Sequence, residues 1–297
     1  MSRWRRANAA LRRWLPAGVT EALRKLALAW GMATSRWRMQ PDFIVVGAQR
    51  AGTTTLFRVL SQHPEVVRPT LSKGIGYFDL NYRRGPRWYA GHFPLAAAAR
   101  RRGKAQTFES SGYYLFHPLA AERMARDLPG VKVVVLVRDP VERAYSAHRH
   151  ELVRGFETLG FEEALAAEPA RLAGQAELLR DDPTAESYEH RHHGYLARSR
   201  YAGQIERYRE MLGPDRVHIV DADQMFVDKA ELSSLFAWLG LSAWLPAELG
   251  RHNAQARTPM DPDLRKSLAE RFVDDDLRLA GLMGRTPSWR RDPGADG

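Results

Sequence analysis

The stretch FIVVGAQRAGTTTL, residues 43–56, passes from an apolar segment through a glycine-framed turn into the start of a helix. Its apolar residues 43–46 predict a strand buried on both faces, which is typical of parallel sheets. The turn between Gly47 and Gly52 leads directly into a predicted helix at residues 53–61. Backbone N–H groups and the positive end of that helix then point at one place, so the stretch predicts an anion-binding loop.

Other segments repeat this alternation of strand and helix. Two further apolar strands are predicted at residues 131–136 and 217–220. Helices are predicted at residues 140–154, 232–239 and 261–283. The predicted fold is therefore α/β, with a P-loop-like parallel sheet flanked by helices on both faces.

The loop differs from a nucleotide-binding P-loop at the residue that normally clamps phosphate. Gly47 and Gly52 have the P-loop spacing, but lysine should follow Gly52, and this chain has Thr53. A cation stands inside the loop instead, at Arg50. A kinase or ATPase with this loop would lack its main phosphate clamp. That class remains an alternative because Asp221, after the third predicted strand, could hold the Mg²⁺ that such enzymes need.

The segment QRAGTTTL, residues 49–56, resembles the 5′-phosphosulfate loop of sulfotransferases that use 3′-phosphoadenosine 5′-phosphosulfate (PAPS). The resemblance is to the heparan-sulfate sulfotransferase-like branch and its bacterial relatives. It implies that the loop binds PAPS through Arg50, Ala51, Gly52, Thr53, Thr54 and Thr55. It also implies a catalytic role for Arg50, which would stabilise charge on the leaving phosphate. This branch usually has lysine at that position, and a guanidinium keeps the charge in a more rigid, forked donor.

The segment VVVLVRDPVERAYS, residues 133–146, resembles the part of the same family that binds the 3′-phosphate of the nucleotide. The resemblance implies that Arg138 and Ser146 bind this phosphate. The position of Arg138 agrees, because open α/β sheets bind ligands at the carboxyl ends of their strands. Asp139 is the predicted N-cap of the helix that follows, with Pro140 in its first turn.

Two more segments resemble the family near the acceptor. FESSGYYLF, residues 108–116, resembles a segment whose glutamate is the catalytic base, which implies that Glu109 takes the acceptor's proton. KGIGYFD, residues 73–79, makes Lys73 a further candidate contact, although Gly74 stands where the family has glutamate. Six aromatic residues near these segments are candidates either for an acceptor wall or for the core: Tyr77, Phe78, Trp88, Tyr89, Tyr113 and Tyr114.

The composition excludes several kinds of protein and site. With 44% hydrophobic and 27% charged residues among 297, the chain has the composition of a folded globular protein. It has no cysteine, which excludes disulfides, thiolate nucleophiles and Cys-ligated zinc. His148 and His150 cannot hold one ion from one face, since side chains at positions i and i+2 of a helix face apart. The segment 190–193 lacks a carboxylate at ligand spacing and lies in a polar stretch. No metal site is predicted.

The positive charge is concentrated at the N-terminus. Residues 1–40 carry nine basic residues and one acidic residue, a net charge of +8 out of the total of +10. A helix is predicted at residues 21–31, with Thr20 as its N-cap and an apolar face of Leu23, Leu26, Ala27 and Trp30. Two interpretations remain open. The helix lies on an anionic membrane surface, or it packs this face on the body of the protein.

The charge distribution predicts a basic amphipathic arm at residues 1–40, and the family resemblance implies a sulfotransferase domain at residues 41–297. The resemblance implies transfer of a sulfuryl group from PAPS to a hydroxyl or amino acceptor, such as a carbohydrate or glycolipid. No apolar run has the roughly 20 residues of a transmembrane helix. The expected location is therefore the cytoplasm, with the inner membrane face as a candidate peripheral site.

The alternative to an enzyme is a binding module that the arm recruits to a membrane or to nucleic acid. Binding held mainly by such an arm would weaken steeply with salt. A nucleic-acid partner is not expected, because the body of the protein is nearly neutral.

Overall fold

The computed structural model describes residues 17–246 and 259–291 of the chain. Its strands are β1 (Phe43–Gly47), β2 (Val66–Val67), β3 (Gln106–Ser110), β4 (Lys132–Val137) and β5 (Val217–Asp221). Its helices are α1 (Ala17–Ala33), α2 (Thr53–Leu60), α3 (Gly85–Ala90), α4 (Ala96–Arg100), α5 (Ala120–Asp127), α6 (Pro140–Val153), α7 (Phe161–Leu172), α8 (Gln175–Asp181), α9 (Tyr188–His192), α10 (Tyr201–Leu212), α11 (Ala222–Val227), α12 (Ala230–Leu239), α13 (Pro262–Glu270) and α14 (Val273–Met283).

The five strands form one parallel sheet in the order β2-β3-β1-β4-β5. β1 lies at its centre, and its residues 43–46 have no exposed surface. In β4, residues 133–137 are equally buried. Strands buried along their whole length are covered on both faces. The predicted α/β fold, with a parallel sheet flanked by helices, is confirmed.

The predicted strands at 43–46, 131–136 and 217–220 correspond to β1, β4 and β5. β3 is not predicted from the sequence, because it carries Thr107, Glu109 and Ser110 in the interior of the sheet. The predicted helix at 261–283 is two helices, since α13 ends at Glu270 and α14 begins at Val273.

α1 contains the predicted helix at 21–31 but corrects two expectations about it. Thr20 lies inside the helix rather than at its N-cap, because α1 already includes Ala17. Leu23, Leu26 and Trp30 are 53%, 67% and 55% exposed. The interpretation that this face packs on the body is therefore wrong.

α1 rests on the body through a neighbouring side of the helix, on which the buried Gly31 lies. A Cβ atom on Gly31 would lie 2.5 Å from the carbonyl oxygen of Gly91, so only glycine permits this approach of the two backbones. Beyond the helix, Arg38 is buried and donates to the carbonyl oxygen of Phe93, and it forms an antiparallel bridge with Leu95. No helix in the described ranges combines the length and the apolar composition needed to cross a membrane.

Candidate active site

The anion-binding loop begins where β1 loses its regular pairing. The register with β4 shifts between Val45 and Gly47, a bulge of the kind that re-aims a strand end. Gly47 has a φ of +153°, and a Cβ atom there would lie 2.9 Å from the Cβ of Leu115. Gly52 has a φ of +90° at the N-cap of α2. Both glycines are therefore required by the backbone path of the loop.

The start of α2 presents unpaired backbone donors. Gly52 provides no side-chain cap, and the first N–H groups of a helix have no acceptor within it. The N–H groups of Thr53 and Thr54 thus remain available to an anion, which the helix dipole also attracts. Arg50, in the loop, has a positive φ of 72°.

The structure brings the predicted 3′-phosphate residues to this loop. The Nε of Arg50 donates to the Oγ of Ser146 on α6 at 3.1 Å. Arg138, directly after β4, places its Nη1 3.5 Å from the carbonyl oxygen of Arg50. Two carboxylates balance the guanidinium of Arg138: Glu142 at 3.7 Å and Asp223 at 3.6 Å. Residues nearly a hundred positions apart in sequence therefore form one cationic site.

Lys73 also reaches the loop. Its Nζ donates to the Oγ1 of Thr54 at 2.9 Å. Burial, with a smaller contribution from the charge of Arg58, lowers the pKa of Lys73 to about 8. The ammonium therefore begins to lose its proton only above neutral pH, and an anion bound beside it would favour the charged form.

The loop is supported from beneath by Arg143, a residue that sequence reasoning missed. Its side chain is fully buried and donates to the Oγ of Ser199 at 2.6 Å, to the carbonyl oxygen of Gln49 at 3.4 Å, and to the carbonyl oxygen of Tyr195. A signal was present: Arg143 lies beside Ala144 on the buried side of α6. A charged residue on such a face requires buried partners.

Asp139 accepts from the N–H groups of Val141 and Glu142 and is the predicted N-cap.

Glu109 lies in the interior of the sheet with no exposed surface. Its carboxylate accepts hydrogen bonds from the hydroxyls of Tyr89 and Tyr114, both at 2.6 Å, from the Oγ of Ser111 at 2.7 Å and from the N–H of Ile75 at 3.2 Å. Burial raises the pKa of Glu109, and the four donors oppose that shift.

The placement of Glu109 bears on its predicted role as base. A base must come within hydrogen-bond distance of the proton that it removes. Glu109 is not among the described residues that line the neighbouring cleft, and its donors already surround it. The role of Glu109 as base stays a prediction, and its contacts support a positioning role for Ser111 and the two tyrosines.

A cleft of about 380 Å³ opens beside the loop. It runs from Gln49 and Lys73 to Asp79, and Tyr113 and Arg191 form part of its wall. Asp79, which sequence reasoning also missed, is 9% exposed. Burial raises the pKa of Asp79 to about 7, partly opposed by the N–H of Leu80.

Of the six aromatic candidates for an acceptor wall or for the core, only Tyr113 lines this cleft among the described residues. The other five are buried and belong to the core: Tyr77, Phe78, Trp88, Tyr89 and Tyr114. They stack on one another, for example Tyr77 on Tyr89 with ring centroids 4.5 Å apart. Their contribution is to hold the elements that carry Glu109.

Asp221 does not have the exposure that a magnesium ligand needs. It is fully buried at the end of β5, where its carboxylate caps α11. The same carboxylate accepts from the N–H of Ser288 at 2.9 Å and from its hydroxyl at 3.0 Å. The geometry therefore does not favour a kinase or ATPase.

The histidine-rich segments have structural partners. His148 contacts the carbonyl oxygen of Leu159 at 2.9 Å, and His192 pairs with Glu151 at 2.9 Å. His190 bonds the hydroxyl of Tyr113 at 2.8 Å. Within residues 17–246 and 259–291, no group of three or more His, Asp or Glu side chains is arranged to hold a metal ion.

A comparison with protein families settles the class of protein. The family model described as the sulfotransferase domain matches residues 40–248. The chain belongs to the sulfotransferase family. The crystal structure of a sulfotransferase from Alicyclobacillus acidocaldarius has 31% sequence identity and a TM-score of 0.63, and the match covers 85% of this chain and 100% of that one.

Curated relatives of this sulfotransferase include much longer proteins. Bifunctional heparan sulfate N-deacetylase/N-sulfotransferase 3 of Homo sapiens is 26% identical over 84% of this chain and 31% of the relative. The corresponding protein 1 of Caenorhabditis elegans is 28% identical over 68% of this chain and 22% of the relative. The membrane-associated sulfotransferase kil1 of Dictyostelium discoideum is 23% identical over 84% of this chain and 66% of the relative. The chain thus spans about a fifth to a third of the two heparan sulfate relatives.

Proposed function

We propose that this sulfotransferase moves a sulfuryl group from PAPS to a hydroxyl or amino group of a carbohydrate or glycolipid. The observation that carries the proposal is the convergence of Arg50, Arg138 and Ser146 at the loop between β1 and α2. Two clusters of donors lie there, one at the helix start with Lys73 and one at the end of β4. Together they suit a nucleotide with phosphate groups at both its 5′ and its 3′ positions.

The residues fit the two ends of PAPS separately. Arg50, Lys73 and the N–H groups of residues 52–54 would hold the 5′-phosphosulfate, and the hydroxyls of Thr53, Thr54 and Thr55 belong to the same helix start. Arg138 and Ser146 would hold the 3′-phosphate. PAPS supplies a sulfuryl group on a phosphate leaving group, so the chain needs positioning and charge stabilisation rather than a metal. Arg50 would stabilise the negative charge that develops on that phosphate.

A carbohydrate acceptor is supported by the cleft and by the relatives. The cleft is open beside the phosphate loop, and Arg154, Arg191 and Arg198 are among the residues that line it. Relatives named for heparan sulfate carry a sulfotransferase activity in their names. A sugar offers many hydroxyls to such a wall.

The test is binding followed by transfer. Adenosine 3′,5′-bisphosphate should raise the melting temperature without magnesium, by a ligand stabilisation of about 2.7 kcal/mol at a hundredfold excess over its dissociation constant. ATP should do so weakly. Radiolabelled PAPS incubated with glycan fractions should then yield a labelled product. A larger, magnesium-dependent shift with ATP would instead support the kinase or ATPase.

We also propose that residues 1–40 form an arm outside the sulfotransferase domain proper. The protein would then be cytoplasmic, and α1 would hold it on an anionic membrane face. Leu23, Leu26 and Trp30 are exposed on one side of the helix, with Arg24 and Lys25 next to them. Apolar and basic side chains together favour the interface of an anionic bilayer. One relative is named as membrane-associated.

Vesicle sedimentation tests this location. The full-length protein should bind phosphatidylglycerol vesicles, release as salt rises, and bind phosphatidylcholine poorly. The triple variant Leu23→Ala, Leu26→Ala, Trp30→Ala should bind at least about tenfold more weakly, because it loses apolar area that would enter the bilayer. A control triple variant at exposed residues elsewhere, Val153→Ala, Val227→Ala, Leu277→Ala, should bind normally. Equal binding by both triple variants would exclude this surface.

A further inference from the structure

Asp79 is a buried carboxylate in the wall of the cleft. It lies at the end of the segment that begins with Lys73, and both residues line the same cavity. Lys73 in turn contacts Thr54 of the phosphate loop. A molecule that fills the cleft next to the loop therefore contacts both Lys73 and Asp79.

Gly76 leaves room beside the carboxyl group of Asp79, and Gly74 leaves room beside Ser110. A Cβ atom on Gly76 would lie 3.0 Å from the Oδ1 of Asp79, and one on Gly74 would lie 3.2 Å from the carbonyl oxygen of Ser110. Both glycines line the cavity. A side chain at position 76 would crowd the carboxyl group of Asp79, and one at position 74 would crowd Ser110 and Ser111 in the cavity wall.

The hydrogen bonds of Asp79 contrast with those of Glu109. The Oδ1 of Asp79 accepts from the N–H of Leu80 at 2.5 Å. The carboxylate of Glu109 is held by four donors and is closed to solvent. Of these two neighbouring carboxylates, Asp79 is the one at the cavity wall.

The surroundings of Asp79 bring the pKa of its carboxyl group close to neutral pH. Burial raises the pKa of Asp79 to about 7, and the negative charge of Glu109 adds to this rise. The hydrogen bond from the N–H of Leu80 and the positive charge of Arg191 lower the pKa. The titratable and charged groups that face it from neighbouring elements are Glu109, Tyr113, Tyr114, Arg123, Arg191 and Tyr208. A base works best when its pKa lies near the working pH.

We propose that Asp79 is the catalytic residue that accepts the proton of the acceptor. The inference rests on the proposed sulfuryl transfer. The acceptor oxygen forms a bond to sulfur, while the bond between sulfur and the bridging phosphate oxygen breaks with its electron pair. The proton of the acceptor hydroxyl passes to Asp79, and adenosine 3′,5′-bisphosphate leaves with the negative charge. No further reactant is needed.

The experiment compares full-length wild-type protein with Asp79→Asn, which keeps an oxygen for the N–H of Leu80 but cannot take a proton. Radiolabelled PAPS is supplied with completely desulfated, N-acetylated heparin, and release of sulfate to water is followed in parallel. Calorimetry measures binding of adenosine 3′,5′-bisphosphate. The surface variant Asp182→Asn serves as a control.

We expect Asp79→Asn to lower both rates by about 10² to 10⁴, the usual effect of losing a general base. Its affinity for adenosine 3′,5′-bisphosphate should stay within about threefold of wild type, and Asp182→Asn should match wild type throughout. The rate of wild type should rise with pH through about 7, and Asp79→Asn should lose this rise. In Asp79→Ala, added formate should restore part of the rate.

The outcomes separate this inference from the proposed function. Wild-type protein that does not bind adenosine 3′,5′-bisphosphate overturns the proposed function and the inference with it. If wild type binds adenosine 3′,5′-bisphosphate and the rates of Asp79→Asn stay within about threefold of wild type, only the inference is overturned. This holds whether the wild-type rates are high or low. A variant that loses binding as well as turnover also overturns it, because Asp79 would then hold the site rather than accept a proton.

Discussion

The Nε of Arg50 and the Oγ of Ser146 are 3.1 Å apart, although the residues are 96 positions apart in sequence. This hydrogen bond joins the loop after β1 to the helix after β4. The residue expected at the 5′-phosphosulfate and a residue expected at the 3′-phosphate are therefore in direct contact. We therefore expect a change in the contacts at one end of the nucleotide to alter the binding energy contributed at the other end.

A double-mutant cycle measures that link. Arg50→Ala and Ser146→Ala should each weaken binding of adenosine 3′,5′-bisphosphate, and the double variant should lose less than the two losses combined. The expected coupling is about 0.5–3 kcal/mol, because contacting residues are not additive. Calorimetry of the four proteins provides the numbers. Strict additivity would mean that the two side chains act on the nucleotide independently.

Arg138→Ala should act mainly on nucleotide affinity. A charge-assisted contact to phosphate contributes about 1.5–3 kcal/mol, so affinity for adenosine 3′,5′-bisphosphate should fall roughly ten- to hundredfold. For adenosine 5′-monophosphate, which has no 3′-phosphate, the loss should nearly vanish. Arg278→Ala, an exposed arginine paired with Glu206, should change neither affinity. Equal losses for both nucleotides would place Arg138 at another part of the ligand or in the fold.

Lys73 should make donor affinity depend on pH. Because burial lowers the pKa of Lys73 to about 8, its ammonium is fully charged only below that pH. Affinity for PAPS should be constant at lower pH and should fall by up to about tenfold per pH unit above it. Lys73→Arg should keep its affinity at high pH, since arginine stays charged. Calorimetric titrations between pH 6.5 and 9.5 test this, and a wild-type affinity that does not change with pH would contradict it.

Glu109→Gln should lower stability. The amide cannot accept from all four donors that surround the carboxylate, so the free energy of unfolding should fall by about 1–3 kcal/mol. The raised pKa of Glu109 means that the folded state binds the proton more tightly. Wild type therefore loses stability from this group as pH rises from about 4.5 through the folded pKa, and the deficit of the variant should shrink over that range. Urea unfolding at several pH values measures it.

The control for Glu109 is Glu122→Gln, at an exposed position of α5. It should leave stability nearly unchanged at every pH. If Glu109→Gln unfolded like wild type but lost turnover, Glu109 would act on the acceptor after all, as the family resemblance implies.

Gly47→Ala should destabilise the protein. The added Cβ meets Leu115 at 2.9 Å, and the φ of +153° is one that L side chains rarely adopt. Such backbone strain costs on the order of 1–3 kcal/mol, and binding of adenosine 3′,5′-bisphosphate should weaken with it. Gly130→Ala is the matched control, because a Cβ there meets nothing within 4 Å. A similar melting temperature for both variants would show that the loop can take another path.

The sequence predicts those parts of the fold whose pattern is local. β1, β4 and β5 are continuous apolar runs, and the loop and the cap at Asp139 are short motifs with a defined backbone geometry. β3 escapes prediction because its polar residues are satisfied by partners far away in sequence, such as Tyr89 for Glu109. Sequence patterns carry no information about such partners.

The candidate site divides in the same way. Arg50, Arg138 and Ser146 lie in recognisable motifs and are brought together by the sheet order. Asp79 and Arg143 gain their properties from burial, which depends on the finished fold. The exposed face of α1 was ambiguous for a related reason: periodicity shows that a helix has an apolar side, but not which side meets the body.

The contact between Gly31 and Gly91 has a consequence for how α1 can be studied. Gly91 directly follows α3, and Tyr89 in that helix donates to Glu109 on β3. Two contacts, joined by α3, thus connect α1 to β3, which pairs with the central strand β1. A protein shortened to begin after α1 would expose the backbone on which that helix rests. If such a protein lost activity, the loss could come from detachment from a lipid surface or from displacement of Tyr89, and the experiment would not tell the two apart. Substitutions on the exposed face leave that connection intact.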